Sequence, residues 1–369
     1  MPDYTAPVQN SAVQFTRFVG ELIDQLDLEY GSFRWWHGHT DNQRLVLIAD
    51  YLIQSCMGVP DALLDAAHCA ADHREAVYAD NSWLRSREQS LSRTNPKATH
   101  EDYLRAFHRG THEDRRDRRI DTSATHALIH LVQVLDRLAA ILVIVSGVSS
   151  DAIKAGWPAI ERLAVEEDRK GKIYTAGTSE GVATQRALLA TSQDWESFGP
   201  PDWLPWLLQT RHAVAHRAAT THWNLTTVGQ GNRMTGLLRP FFRQPSRSEM
   251  HSLSYGPADE GLDTNSLEQL LVLEDSADVL DGLIASTNDF VLHVLAAVES
   301  TWRRRRDDAD LIVQPESQWK LDPDAVLEFT GYGKAAKIQR GGFLTVGPQL
   351  SKRIQAAKIM DDDRHDFWA

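Results

Sequence analysis

Cysteine is nearly missing from this chain. Its 369 residues include only Cys56 and Cys69, both in helix-like stretches, which excludes a disulfide framework and points to a reducing compartment. Long apolar runs are missing too. The longest, Leu138 to Val145, follows Asp136 and Arg137 and is far short of a bilayer span, so it reads as a buried helix and not as an anchor. Basic residues are outnumbered, 39 Lys and Arg against 51 Asp and Glu, for a formal net charge of -12. That balance excludes binding to nucleic acid through a diffuse basic surface and requires any such contact to be made in a local basic cleft. The opening residues, MPDYTAPVQNSAVQ, lack the basic stretch and apolar core of a secretory signal. The expectation is a cytoplasmic protein with no membrane segment.

Helical periodicity is what the chain has in quantity. Between Ser11 and Asp27, Phe15, Phe18, Val19, Leu22, Ile23 and Leu26 fall on one face of an amphipathic helix. Phe33 to His39 forms an aromatic loop whose paired Trp35 and Trp36 read as a plug between helices before they read as a platform for bases. Asp41 caps the next helix, and Pro60 opens a further one that carries His68, Cys69 and His73 as ordinary helix residues. Arg85 to Arg119 is polar and basic, and its mixed-sign run HEDRRDRR predicts a solvated, salt-bridged surface ahead of guanidinium contacts to phosphate. Asp121, Thr122 and Ser123 offer N-caps to the most apolar helix, which ends at Gly147. On it His126 and His130 lie four apart without the Glu of a zinc-peptidase helix, which favours a structural role over a metal site.

Further on, Ser149 to Asp168 reads as one or two short helices, Gly171 to Gly181 as a loop, and Ser179 onward as a helix stopped by Phe198, Gly199, Pro200 and Pro201. Leu267 to Arg306 is predicted as the longest helix, with Arg303/Asp307 and Arg304/Asp308 pairing one turn apart at its end. Between these helices, Trp223 to Phe242 alternates like a hairpin of about residues 223–244, which either guides a strand of nucleic acid or covers the helices. The expected fold is mainly α: an N-terminal helical region over 1–120, an antiparallel helical bundle with the inserted β-hairpin over 121–310, and a small mixed α/β appendage over 311–369. In that appendage Leu311 to Val313 and Ala325 to Phe329 read as strands, Gly341 and Gly342 as a turn, and Gln349 to Met360 as a helix.

The chemistry concentrates at Asp202 to His222, reading DWLPWLLQTRHAVAHRAATTH. Leu204, Leu207, Leu208, Ala213 and Val214 recur at helical spacing, so one face turns inward and Arg211, His212 and His216 gather near the helix end. Arg211 and His216 diverge by roughly 140° around the axis, so they flank the inward stripe. An imidazole titrates near 6.5 and moves protons, while a guanidinium presents a planar fork to phosphate oxygens.

Arg211 followed four intervening residues later by His216 resembles the R-x4-6-H signature of the HEPN superfamily. Its members are helical, often dimeric, and include many metal-independent endoribonucleases. The usual Asn after the Arg is here His212. Comparable spacings at Arg34/His39, Arg93/His100, Arg105/His112, Arg119/His126 and Arg217/His222 lack the apolar helical run before the motif and the small residues inside it. The resemblance covers the motif and its helical setting, about Asp121 to Asp307. It implies that His216 transfers protons, Arg211 stabilises the charged phosphorane and His212 orients either of them. RNA then supplies its own 2'-hydroxyl nucleophile, no metal or other cofactor is needed, and the products are a 2',3'-cyclic phosphate and a 5'-hydroxyl. It further implies a homodimer with a composite site, and a toxin or antiviral defence effector released by a regulatory protein partner or an infection signal. Arg217, Arg239 and Arg243 are the candidate RNA-binding residues. Two alternatives stand beside this reading: a non-catalytic interaction or sensor module in which Arg211 pairs with an acidic neighbour, and a metal-dependent hydrolase built on His126 and His130 with His37, His39 or a carboxylate.

Overall fold

In a computed structural model the described residues are 4–29, 32–37, 45–165, 178–216, 222–228, 234–244, 271–312, 331–333 and 347–362. Several expectations lie outside them: the cap at Asp41, His39, most of the loop from Gly171, Arg217, the stretch Ser246 to Thr264, the strand Ala325 to Phe329 and the turn at Gly341 and Gly342. The protein is mainly helical. Its helices are α1 (Gln9–Gln25), α2 (Arg34–His37), α3 (Leu45–Thr94), α4 (His100–Ala106), α5 (Thr111–Ser146), α6 (Trp157–Val165), α7 (Ser179–Ala190), α8 (Trp203–His216), α9 (Ser276–Asp307) and α10 (Pro348–Asp362). Strands β1 (His222–Val228) and β2 (Met234–Phe242) pair antiparallel, with Trp223 opposite Phe241 and Leu225 opposite Arg239.

The chain divides into two compact units, one of Met1–Ser11, Pro60–Val134 and Asp194–Val291, the other of Ala12–Val59, Leu135–Gln193 and Leu292–Ala369. In the second unit α1 buries Phe15, Phe18 and Leu22 completely, as its period requires. Phe33, Trp35 and Trp36 pack around Trp302 of α9, which meets them edge-on with centroids 4.7, 5.0 and 5.8 Å away. Gln25 Oε1 accepts from both the Trp35 and Trp302 indoles, at 3.3 and 3.0 Å. The paired tryptophans are therefore a core plug, in which Gln25 satisfies the indole N–H groups of Trp35 and Trp302.

The first unit contains α4, α8, both strands, and parts of α3, α5 and α9. His73 is fully buried there, with Nδ1 3.0 Å from the Ile120 carbonyl and Nε2 2.7 Å from the Ser276 hydroxyl. A smaller apolar cluster of Ala76, Leu84 and Ile120 is flanked by Trp83 and Phe107.

Several helix boundaries differ from expectation. Pro60 does not open a helix but lies inside the fifty-residue α3, and α3, not the segment ending at Arg306, is the longest helix. A prolyl nitrogen forfeits one hydrogen bond at a cost of ~3 kcal/mol, which the packing of Ile53, Cys56, Val59 and Leu63, all fully buried, outweighs. Next to this point Arg137 donates to the Gly58 carbonyl. The most apolar helix begins at Thr111 rather than at Asp121, so HEDRRDRR is helical, and the Thr122 and Ser123 hydroxyls donate back to the carbonyls of Arg118 and Arg119 instead of capping. Gly147 ends it with φ +74°.

The arginines at the end of α9 also choose other partners. Arg303 forks onto Glu21 at 2.6 Å and reaches Glu299 at 3.1 Å, Arg304 meets Glu180 at 3.8 Å, and Arg306 meets Asp307 at 2.8 Å. Leu311 lies in a 3-10 turn, not a strand. By length and composition alone α5 and α9 are apolar enough to cross a bilayer, with 72% and 56% of their most apolar stretches buried within the protein.

Candidate functional site

The candidate motif sits on α8, and the chain enters α8 through a tight approach. Asp202, just before the helix, has φ +63°, a left-handed conformation that Asp tolerates better than most residues. At Gly199 an added Cβ would stand 2.6 Å from Trp203 Cδ1 and 2.8 Å from Ser286 Oγ, so only glycine lets the turn close onto α8 and α9. The first residue of α8 is then locked in place. Trp203 donates its indole N–H to the Trp195 carbonyl at 3.0 Å and meets Trp195 and Phe290 edge-on, each with centroids 6.5 Å apart.

One turn on, Trp206 meets Phe242 edge-on at 5.6 Å, and the Phe242 carbonyl accepts from Val272 N–H at 2.8 Å. This fixes the end of β2 against α8. Leu204 and Leu207 are fully buried, Thr210 and Ala213 nearly so, which continues the inward stripe. Arg211 stands at its margin, half-buried, and His212 is exposed beside it. His216 is the last residue of the helix, five positions and about 7.5 Å along the axis from Arg211.

The polar chemistry around this stripe is unevenly satisfied. Among the described residues no carboxylate pairs with Arg211, whereas arginines elsewhere in the first unit, such as Arg74, Arg109 and Arg119, are held by aspartates. Trp206 Nε1 and Thr210 Oγ1, four residues apart on α8, are buried without a hydrogen-bond partner among the described residues. Arg243, just past β2, is half-buried, and burial lowers its pKa from the usual guanidinium value. Arg239 lies on β2 opposite Leu225. Arg217 and the His216 side chain lie outside the described residues.

A cavity of about 320 Å³ opens beside β2, lined among others by Arg74, Tyr78, Asn81, Arg85, Pro240 and Asp278. Tyr78 is 75% exposed there. Nothing in the sequence marks Arg74, Tyr78 and Asn81 as a group, because an exposed helix face carries no periodic signal, and Pro240 together with the start of α9 completes their common wall.

Of the metal alternative, His39 and the His37 side chain lie outside the described residues. Among the described residues no three His, Cys, Asp or Glu side chains converge as a ligand set. His126 is exposed, and His130 is held by Gln133 at 3.1 Å, with Asp65 at 4.0 Å. Burial pushes the thiol pKa of Cys56 up, and that of Cys69 likewise, so both thiols stay protonated. No protein family matches the chain, and no curated protein or solved structure is similar to it.

Proposed function

We propose that this chain is a metal-independent endoribonuclease of the HEPN type, active as a homodimer whose motifs face each other, and that it serves as a toxin or antiviral effector restrained by a partner. The observation that carries the reading is Arg211: a guanidinium held half-buried on a firmly anchored helix, with no carboxylate partner among the described residues. A structural arginine in that position is ordinarily neutralised by an acid, whereas a phosphate-binding arginine keeps its fork free for the substrate. His212 is exposed on the same turn, and His216 ends the helix.

In this reading His216 withdraws the 2'-hydroxyl proton, or delivers one to the leaving 5'-oxygen, while Arg211 neutralises the charge that develops on the phosphorane. His212 takes the orienting role of the usual Asn. Bundle and hairpin are of the HEPN kind, with β1 and β2 as the inserted hairpin. Arg239 and Arg243 flank Pro240, so RNA passes from the exposed Tyr78 ring and Arg85 along β2 towards α8, with bases stacking on the ring and phosphates meeting the arginines.

The test is cleavage of mixed cellular RNA in excess chelator by wild type, Arg211→Ala and His216→Ala proteins. Cyclic-phosphate ends formed by the wild type alone support the nuclease. A folded dimer that leaves RNA intact, with or without extract from infected cells, overturns it in favour of a helical interaction module.

A further inference from the structure

Arg305 on α9 is the one residue of the run Arg303 to Arg306 that turns inward; it is 5% exposed. Its Nη1 donates to the Val145 carbonyl in the last turn of α5. Nε and Nη2 are both buried and have no hydrogen-bond partner among the described residues. Those two N–H groups are the parallel pair on the side edge of the guanidinium, the edge that engages a carboxylate or phosphate through two oxygens at once.

The next carbonyl of α5 has a related visitor. Gln185 of α7, fully buried, donates from Nε2 to the Ser146 carbonyl at 3.0 Å, and its Oε1 has no partner among the described residues. The end of α5 therefore holds two neighbouring side chains with three orphaned polar atoms: two donors on Arg305 and one acceptor on Gln185. Both belong to the same compact unit. The frame around them is tied together, since Thr178, the cap of α7, donates to the Asp310 carbonyl just past α9, and Gly181 leaves room for the carbonyls of Asp310 and Leu311.

A buried cation without a counter-charge is among the costliest arrangements a fold can hold. The C-terminal carbonyls of α5 offer only about half an elementary charge of compensation. Burial lowers the Arg305 pKa to about 10, so the group stays cationic at neutral pH. No described carboxylate pairs with it.

We infer that Arg305 and Gln185 form a binding site for a protonated phosphate, either inorganic hydrogenphosphate or a phosphomonoester. Two phosphate oxygens engage Nε and Nη2 of Arg305, and a P–OH group donates to Gln185 Oε1. A carboxylate or sulfate satisfies the fork but has no proton for Gln185, so the orphaned acceptor selects phosphate. This site is independent of Arg211 and of the nuclease reading.

The experiment is a melting and calorimetric titration of the full chain with sodium phosphate, sodium sulfate and adenosine monophosphate, each against sodium chloride of equal ionic strength. Phosphate is expected to raise the melting temperature in proportion to the logarithm of its concentration and to bind at least about tenfold tighter than sulfate. A matching effect of adenosine monophosphate would assign the site to phosphomonoesters, and its lack of effect would assign it to the free ion. Arg305→Lys, which keeps the charge but loses the fork, should abolish the response. Gln185→Leu should make phosphate and sulfate equal. If the Arg305 variant does not fold, the wild-type comparison and Gln185→Leu still decide. Equal shifts with phosphate, sulfate and chloride would overturn the site, leaving water or the chain itself to close the fork.

Discussion

The imidazole of His73 and the hydroxyl of Ser276, 203 residues apart, share a 2.7 Å hydrogen bond out of reach of solvent. The Ile120 carbonyl can only accept, so Nδ1 carries the ring proton and Nε2 receives the hydroxyl of Ser276. One side chain thus joins three helices through two polar contacts. Ser276→Ala removes the donor and leaves Nε2 buried, and it is expected to lower stability by about 1–3 kcal/mol in urea denaturation with an unchanged slope. A loss below about 0.5 kcal/mol would mean that water takes the place of the hydroxyl.

Asp80 on α3 makes a sharper case. Its side chain is fully buried and receives Arg109 at 3.0 Å and Arg116 at 3.2 Å. Both guanidiniums lie 5.9 Å from the centre of the Trp83 ring. Asp80→Asn keeps the shape but removes the buried counter-charge of both arginines, leaving Arg109 with Asp117 at 3.5 Å and Arg116 with Glu113 at 3.9 Å, and it should cost on the order of 3 kcal/mol. Trp83→Leu removes only the cation–π and ring contacts, worth about 1–2 kcal/mol. The ranking of the two variants by thermal denaturation is the check. Equal losses would show that the ring, not the carboxylate, holds the arginines.

How far the sequence could be read follows from the range of the forces involved. The inward face of α1, the stop at Gly147 and the aromatic plug at Trp35 and Trp36 were legible, because period, positive φ and ring area act within a few residues. Pro60 and the Thr122/Ser123 pair misled for the converse reason. Their local preference for a helix start is worth ~1–3 kcal/mol and yields to the packing of a long helix that composition does not display. The partners of Arg303 and Arg304 were equally hidden: Asp307 and Asp308 were near in sequence, but Glu21 and Glu180 are presented by other helices. At the candidate site the placing of Arg211 near a helix end was legible from Leu204, Leu207 and Ala213. Its half-burial depends on the anchoring of Trp203 and Trp206 against Phe290 and Phe242, which no local pattern announces.

The Glu21–Arg303 fork predicts a pH dependence of known sign. The hydrogen bond from Arg303 is the main cause that holds the Glu21 carboxyl below its ordinary value of 4.5, with the charges of Arg303, Arg306 and Arg17 adding to it and partial burial opposing it. A carboxyl depressed by folding contributes stability that is fully present above the unfolded value and is lost as pH falls through the folded one. Wild-type stability should therefore decline below about pH 4.5 more steeply than that of Glu21→Gln. Denaturation series of both proteins from about pH 7 to pH 3 test this. Parallel curves would mean that the fork is as strong in the unfolded chain.

The proposed composite nuclease site makes a prediction that a single-chain site does not. One imidazole cannot both remove the 2'-hydroxyl proton and protonate the 5'-oxygen in one step, so the proposal requires a neutral His216 in one protomer and a protonated one in its partner. The rate should then be bell-shaped in pH with a maximum near about 6.5, where both forms coexist. His216→Ala and Arg211→Ala should each lower cleavage by about 100-fold or more, and Arg211→Lys should recover little because the ammonium lacks the fork. Dilution supplies the independent reading. Activity per mole should fall as dimer gives way to monomer, with no change in the melting of the secondary structure. A one-sided pH profile together with activity that is indifferent to dilution would place the whole reaction within one chain, and the second imidazole would then have to come from His212, one helical position from Arg211.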